Sequence, residues 1–490
     1  MSERRHDPTH GEWVTVATEL PADARADLAR VLAGYDAFFG VATSYLLGVH
    51  AAPTDGADRD VAHLHLDICP PHRGAGKLKY LAGSETSGGA FLTDVVPGVA
   101  AVPAGGVRGC GGAGMSSALA RTFRDAVGRE PEGLFSAPGR VNLVGEHTDH
   151  NEGHVLPFAI DRRCRVAAAR RADDVVTARS AQEPGDTVTT TLDALTAARG
   201  WSAYVLGTVW ALREAGLPGA GWDLVVDSDV PLGAGLSSSA ALECAVALAL
   251  AELSGAGLDR HALARAGRRA ENDVVGAPVG IMDQVASLLC REGSALLLDC
   301  RTLGVEDVAL GLEGAGLEML VVDTRVRHDL ADGGYADRRA ACVAAAAALG
   351  VPALRDATPA MVDHLDGTLR RRARHVVTEQ ARVHRVVDLL RAGRPTEIGP
   401  ELTASHASLR NDFAVSVPAL DAAVETALAH GALGARLVGG GFGGSVLVLA
   451  AADAVEEITG AVTRRAADDG HPEPVARVVH PAGGARRETG

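Results

Sequence analysis

Apolar residues are distributed along this chain in short runs of two periods. Trp222–Val230 (WDLVVDSDV) reads as a strand, Pro231–Ser239 as a Gly/Ser loop, and Ala240–Leu253 as an alanine- and leucine-rich helix apolar enough to be buried. Ala295–Leu298, Leu317–Val322 and Val446–Leu449 predict further strands, while Ala340–Leu349 and Arg370–Leu390 predict helices. Strands and helices therefore mix throughout, which predicts an α/β (α+β) protein. Residues 98–114 (GVAAVPAGGVRGCGGAG) break the pattern with low complexity and dense glycine, and predict a linker. No internal repeat is evident.

At 490 residues the chain is long enough for two or three domains. A formal net charge of −15 opposes a nucleic-acid or anionic-membrane partner, since broad contact with phosphates needs a basic face. Seven cysteines stand singly with no CxxC, as suits free thiols in a reducing cytoplasm. The first residues lack the apolar stretch of a signal peptide, and no run of eighteen apolar residues occurs, so a soluble cytoplasmic protein is expected. Lysine occurs only at Lys77 and Lys79; the other 45 of the 47 basic residues are arginine. That scarcity excludes phosphate-binding schemes built on a lysine.

The densest polar chemistry lies at Pro138–Pro157, PGRVNLVGEHTDHNEGHVLP. A buried strand cannot hold Glu146, His147 and Asp149 without partners, because each unpaired polar group costs about 1–3 kcal/mol. A solvated loop is one reading and a polyhydroxylated ligand the other. Gly139–Leu143, Gly145–Asp149 and Asn151 resemble the galactokinase signature within the GHMP small-molecule kinases, with His150 where that family usually has tyrosine.

Pro231–Glu243, PLGAGLSSSAALE, puts glycines, three serines and a helix start in order, so free N–H groups and the positive helix end converge. Alone, such a loop is as well read as a serine cap on a buried helix. It is not a Walker A loop or a protein-kinase site, both of which need a lysine. It resembles the second signature of the same kinase group, and Leu437–Ser445 (LVGGGFGGS) its carboxy-terminal glycine motif. The resemblance implies ATP binding by Gly233, Ala234, Gly235, Leu236, Ser237, Ser238, Ser239 and Ala240, with Trp201 against adenine and Ser180 a weaker nucleotide candidate. It further implies Mg²⁺ held by Ser239 and Glu271.

Gly280–Gln284 (GIMDQ) resembles the family segment whose aspartate lies beside the reacting hydroxyl, which implies Asp283 as catalytic carboxylate and Arg140 as its partner facing the phosphoryl group. Glu146, His147, Asp149, Gly280 and Tyr335 are then the sugar-binding residues. The implied fold is two lobes with the active site between them, residues 115–315 and 316–490. The implied activity is ATP-dependent phosphorylation of galactose at the anomeric hydroxyl, by a monomer. Kinases for N-acetylgalactosamine or arabinose, and a galactose sensor without turnover, are the competing readings.

Residues 1–97 carry a second resemblance. HLHLDICPPHR and KLKYLAGSETSGGAFLTDVVP are similar to the carboxy-terminal portion of galactose-1-phosphate uridylyltransferase, where the spacing of His63 and His65 suits a metal. The nucleophilic HPH of that family is absent from the chain, so a vestigial segment fused to the kinase is expected, by gene fusion, frameshift or a misassigned start near Met115.

Overall fold

The computed structural model describes residues 2–6, 13–17, 46–50, 65–69, 112–183, 185–327 and 331–488. The chain divides into two compact units, Met1–Arg108 and Gly109–Gly490. In the first, β1 (Ser2–His6) pairs with β2 (Trp13–Ala17), and β3 (Leu46–His50) with β4 (His65–Cys69), both antiparallel. His65 opens β4 opposite His50, whereas His63 lies outside the described residues.

The second unit opens with helix α1, Gly112–Val127. The last three residues assigned to the linker are therefore helical; Leu119 and Phe123 explain why, since they are buried against Ala167, Ala169 and Val225. The first lobe is a seven-stranded sheet whose central strands are β5 (Gly133–Asn142), β7 (Pro157–Arg170) and β10 (Trp222–Ser228). A short strand β6, His154–Val155, precedes β7. β7 reads VAAAR at its end because both faces are covered. Val166 and Ala168 join the core under the helices, while Ala167 and Ala169 face α1. Helices α2 (Trp201–Glu214), α3 (Ser238–Ser254), α4 (Arg260–Ala270) and α5 (Met282–Leu289) form the covering layer. The all-round apolar α3 is buried along most of its length.

The second lobe centres on an antiparallel four-stranded sheet containing β13, Leu317–Arg327, between two neighbours. Its side chains alternate: Met319 and Val321 enter a core shared with the first lobe, Leu320 and Val322 the second lobe's own core. Helices α6 (Ala331–Leu349), α7 (Gly367–Arg391) and α8 (Gly399–Ser408) pack here, as does strand β14, Gly434–Val438. Val383, Val386 and Val387 of α7 share one core with Val141 and Leu143 of the first lobe.

The segment 316–490, expected as the second lobe, also supplies two short strands to the first. Pro481–Ala482 pairs with β7 and Arg486–Arg487 with β5, so the end of the 316–490 segment returns to the first lobe's sheet. Those residues complete hydrogen bonds along the outer side of β5 and along the first half of β7, which β10 does not reach.

Candidate active site

β5 carries a bulge at Gly139, between Pro138 and Arg140. A Cβ there would lie 2.7 Å from the Leu236 carbonyl oxygen and 2.9 Å from Val230, so only glycine lets the strand meet the Gly/Ser loop. Arg140 N–H donates to that same carbonyl at 3.0 Å. The carboxy-terminal glycines approach from the other side. A Cβ on Gly439 would lie 3.1 Å from the Gly235 Cα, and Ser445 donates to the Ala234 carbonyl at 2.6 Å.

The buried Arg140 side chain grips Asp283 with two parallel bonds, Nε to Oδ1 at 2.8 Å and Nη2 to Oδ2 at 2.7 Å. Its remaining nitrogen, Nη1, donates to the Gly235 carbonyl at 2.8 Å. One guanidinium thus links the carboxylate to the Gly/Ser loop. Ser237 adopts φ +57°, an unusual left-handed conformation for a residue with a Cβ, and its hydroxyl donates to Asp283 Oδ2 at 2.5 Å. It makes no side-chain cap on α3, so the plain helix-cap reading of this serine fails.

Arg140 and Asp283 line a cavity of about 610 Å³ together with Glu146, His147, Asp149, Gly280 and Tyr335. All seven residues predicted for catalysis and sugar contact therefore converge. The size suits a small molecule, for which pockets of roughly 300–1,000 Å³ are usual. Burial drives the His147 imidazole well below its ordinary pKa, reinforced by His150 and His375, so it is neutral at pH 7. Its ring lies tilted against Phe413 at 4.5 Å between centroids, and its buried Nε2 has no hydrogen-bond partner among the described residues. Burial, with Asp149 and Asp283, raises the Tyr335 phenol, which stays protonated. Glu146 is raised by burial against the opposing pull of Arg436 and Arg140, and its Oε1 accepts the Gly439 N–H at 2.8 Å.

His150 also acquires a place. It is buried beside Asp149, Nδ1 to Oδ1 3.4 Å, with its ring edge-on to His147 at 5.8 Å and tilted against Tyr335 at 5.7 Å. A ring fills this place, and its Nδ1 can donate to the carboxylate.

Next to this cavity, Glu271 is pushed up to about 7 by burial and by Asp283, while Ser239 and Gln284 donate to it. Gln284 Nε2 bridges Glu271 Oε2 at 2.9 Å and Glu243 Oε2 at 3.0 Å. Burial and Glu271 raise Glu243 well above the carboxylic range, so it is held protonated at neutral pH.

A galactokinase of Streptomyces coelicolor is 48% identical to this chain over 384 residues, covering 77% of this chain and 99% of its own length. The chain belongs to the galactokinase family. The galactokinase galactose-binding signature matches residues 121–170, the GHMP kinases N terminal domain 203–291, and the GHMP kinases C terminal 386–468. All three lie within Gly109–Gly490. A Mycobacterium bovis galactokinase is 44% identical over 361 residues, 72% of this chain and 98% of its own. A solved Lactococcus lactis galactokinase, complexed with galactose, superposes with a TM-score of 0.72 at 33% identity, over 76% of this chain and 99% of its own. A Methanococcus jannaschii mevalonate kinase, at 17% identity and TM-score 0.53, shares the fold.

Not every residue that the family resemblance implied meets the cavity. Trp201 opens α2 and donates Nε1–H to Asp186 at 2.7 Å; the cavity is lined by Tyr204, one turn later. Ser180 ends a strand and bonds Gln182. Neither lines it, and nor do Gly233–Ala240, which flank it behind Arg140 and Asp283. Tyr204, Met282, Val275–Val279, Gly439 and Gly440 also line it, though no individual role was assigned to them from the sequence. Gly439 and Gly440 had a signal, the glycine cluster itself; Tyr204 had only its helical spacing from Trp201.

The polar packing behind the cavity predicts acid sensitivity. Burial lowers fully buried His375 to about 4, against about 6.5 for an exposed histidine. Between those values the unfolded chain binds the proton and the folded one does not, so stability falls as pH drops from 6.5 to 4. The loss reaches about 3 kcal/mol. Urea midpoints measured from pH 7 to pH 4 should show it, and His375→Gln should flatten the slope; an unaltered slope contradicts the assignment.

Proposed function

We propose that the enzyme transfers the γ-phosphoryl group of ATP to the anomeric hydroxyl of galactose, with Asp283 accepting the hydroxyl proton. The sugar oxygen forms the new bond to phosphorus as the bond to the ADP leaving oxygen breaks. The observation that carries this is the Arg140 fork, which joins Asp283 in the cavity to the Gly235 carbonyl in the Gly/Ser loop. A loose phosphoryl-transfer transition state asks mainly for alignment and charge stabilisation, and a fixed guanidinium between acceptor and phosphate loop supplies both. Glu146, His147, Asp149, Gly280 and Tyr335 bound the sugar. The loop Gly233–Ala240 cradles the phosphates through its amides and the start of α3, with Trp201 and Ser180 toward the nucleotide.

Ser239 and Glu271 fit Mg²⁺: both offer oxygen, and Glu271, raised chiefly by burial and then by Asp283, stands close to a second carboxylate whose charge a divalent cation offsets. Bound there, the ion would neutralise triphosphate charge. A monomer is part of the same reading. Cys164, Cys244, Cys290, Cys300 and Cys342 are free, which supports a reducing cytoplasm. No helix among the described residues is long and apolar enough to cross a membrane.

Residues 1–97 are read as a transferase remnant, 98–111 as its linker, and the two lobes as the kinase. ATP-coupled turnover tests both claims. The full chain and a chain starting at Met115 should phosphorylate galactose with kcat/KM within about threefold of each other, because Leu119 and Phe123, which anchor α1, are retained. Absence of galactose turnover, or preference for N-acetylgalactosamine or arabinose, overturns the substrate assignment; loss of activity on truncation overturns the remnant reading.

A further inference from the structure

Four side chains of the second lobe close on the backbone of the sugar-reading segment. On α7, His375, Glu379 and Val383 are spaced four residues apart and share a face. Glu379 is fully buried; its Oε1 accepts the Gly145 N–H at 2.9 Å and the Ser405 hydroxyl of α8 at 2.7 Å, while Oε2 accepts Arg382 Nε at 2.7 Å. His375 Nε2 bonds the Glu146 carbonyl at 3.1 Å, and its Nδ1 meets the Ser408 hydroxyl at 2.9 Å. Gln380 Oε1 accepts the His154 N–H at 3.0 Å on the return strand. From β14, Arg436 Nη1 donates to the carbonyls of Asn142 at 2.9 Å and Leu143 at 3.1 Å.

The backbone is thus held at Asn142, Leu143, Gly145 and Glu146 by residues more than two hundred positions away. The fit is close: Gly145 has φ +105°, and a Cβ there would lie 3.0 Å from Val383 Cγ2. Stability alone is a weak account of such an arrangement, because well-packed apolar residues often replace a buried ion pair without loss. Directed bonds to one short backbone segment account for it better, since Glu146, His147 and Asp149 project from that segment into the cavity.

We propose that Glu379, supported by His375 and Arg436, is a positioning residue for sugar recognition. Its carboxylate fixes the Gly145 amide and, through it, the direction in which the following side chains meet the sugar. This rests on the galactokinase reading of the site. The segment is not part of the Gly/Ser loop, so the effect is confined to the sugar.

Initial rates of the full-length chain, varied separately in galactose and MgATP, test it. Glu379→Gln keeps the shape but removes one acceptor, so the galactose KM should rise about tenfold while the MgATP KM stays within about twofold. A galactose KM within about twofold of wild type, or equal rises for both substrates, overturns the proposal. Should that variant fail to fold, His375→Phe removes the bond to Glu146 and must produce the same selective rise. If the wild type does not phosphorylate galactose, the substrate reading fails instead. Amide exchange across residues 142–147 then decides the clamp: it must accelerate in Glu379→Gln relative to α2, and unchanged exchange overturns the clamp.

Discussion

Asp283→Asn is expected to lower kcat for galactose phosphorylation by about 10³-fold or more, with a smaller change in the MgATP KM. The substitution preserves volume but removes the proton acceptor and the anionic half of the fork, whose bonds to Arg140 are 2.8 and 2.7 Å. It also leaves Arg140 buried without its main counter-charge. Breaking a buried pair on one side costs about 3–5 kcal/mol, so the melting temperature should fall as well. Arg140→Lys separates the two effects. Lysine keeps a charge near Asp283 but cannot bond Asp283 twice and Gly235 at once, so turnover should fall steeply while stability recovers in part. Rapid-quench measurement of the phosphoryl-transfer step provides the check. An Asp283→Asn enzyme within about tenfold of wild type would remove Asp283 from the chemistry.

Gly280→Ala should act almost as strongly, through space alone. A Cβ at position 280 would stand 1.7 Å from Asp149 Oδ2 and 2.5 Å from its Cγ, distances that no side chain tolerates. The Asp149 carboxylate must swing away, leaving His150 and the cavity wall it shares with Tyr335. Misplacement of a substrate-orienting group by about 1 Å is worth about 10²-fold, so kcat/KM for galactose should drop by about that factor. Gly280 lies half-buried in the irregular segment before α5 rather than in a packed core, so stability should change little. Galactose titration by calorimetry without nucleotide isolates the binding part. An unchanged galactose affinity would show that Asp149 does not read the sugar.

Much of the site was legible before any coordinates. Arg140, Glu146, His147, Asp149, Gly280, Asp283 and Tyr335 were identifiable from three short segments, and all seven meet at one cavity. Segments of this kind are readable because glycine at a bulge, a bidentate arginine and a carboxylate each have few substitutes. Ser237 shows the limit. From its neighbours it reads as a loop serine among three, but only the fold reveals its left-handed backbone and its 2.5 Å bond to Asp283. Trp201 shows another: two aromatic residues one helical turn apart, Trp201 and Tyr204, are equivalent in the sequence, and rotation of α2 about its axis decides which faces the cavity.

Helix and strand positions follow from local periodicity, so the sequence by itself determined the apolar α3 and the strands that pack beneath it, while the candidate reacting side chains rested on the resemblance of short segments to a known family. It also determined that phosphate must be met by amides and arginine, because lysine is nearly absent. Only the tertiary structure decided which distant groups hold the reacting ones in place. Glu379, His375 and Arg436 are ordinary polar residues on a helix and a strand until folding brings them to Gly145, Glu146 and Asn142. The reason is physical: a backbone N–H or carbonyl offers the same hydrogen bond in every residue, so nothing in its own segment specifies which remote side chain will satisfy it.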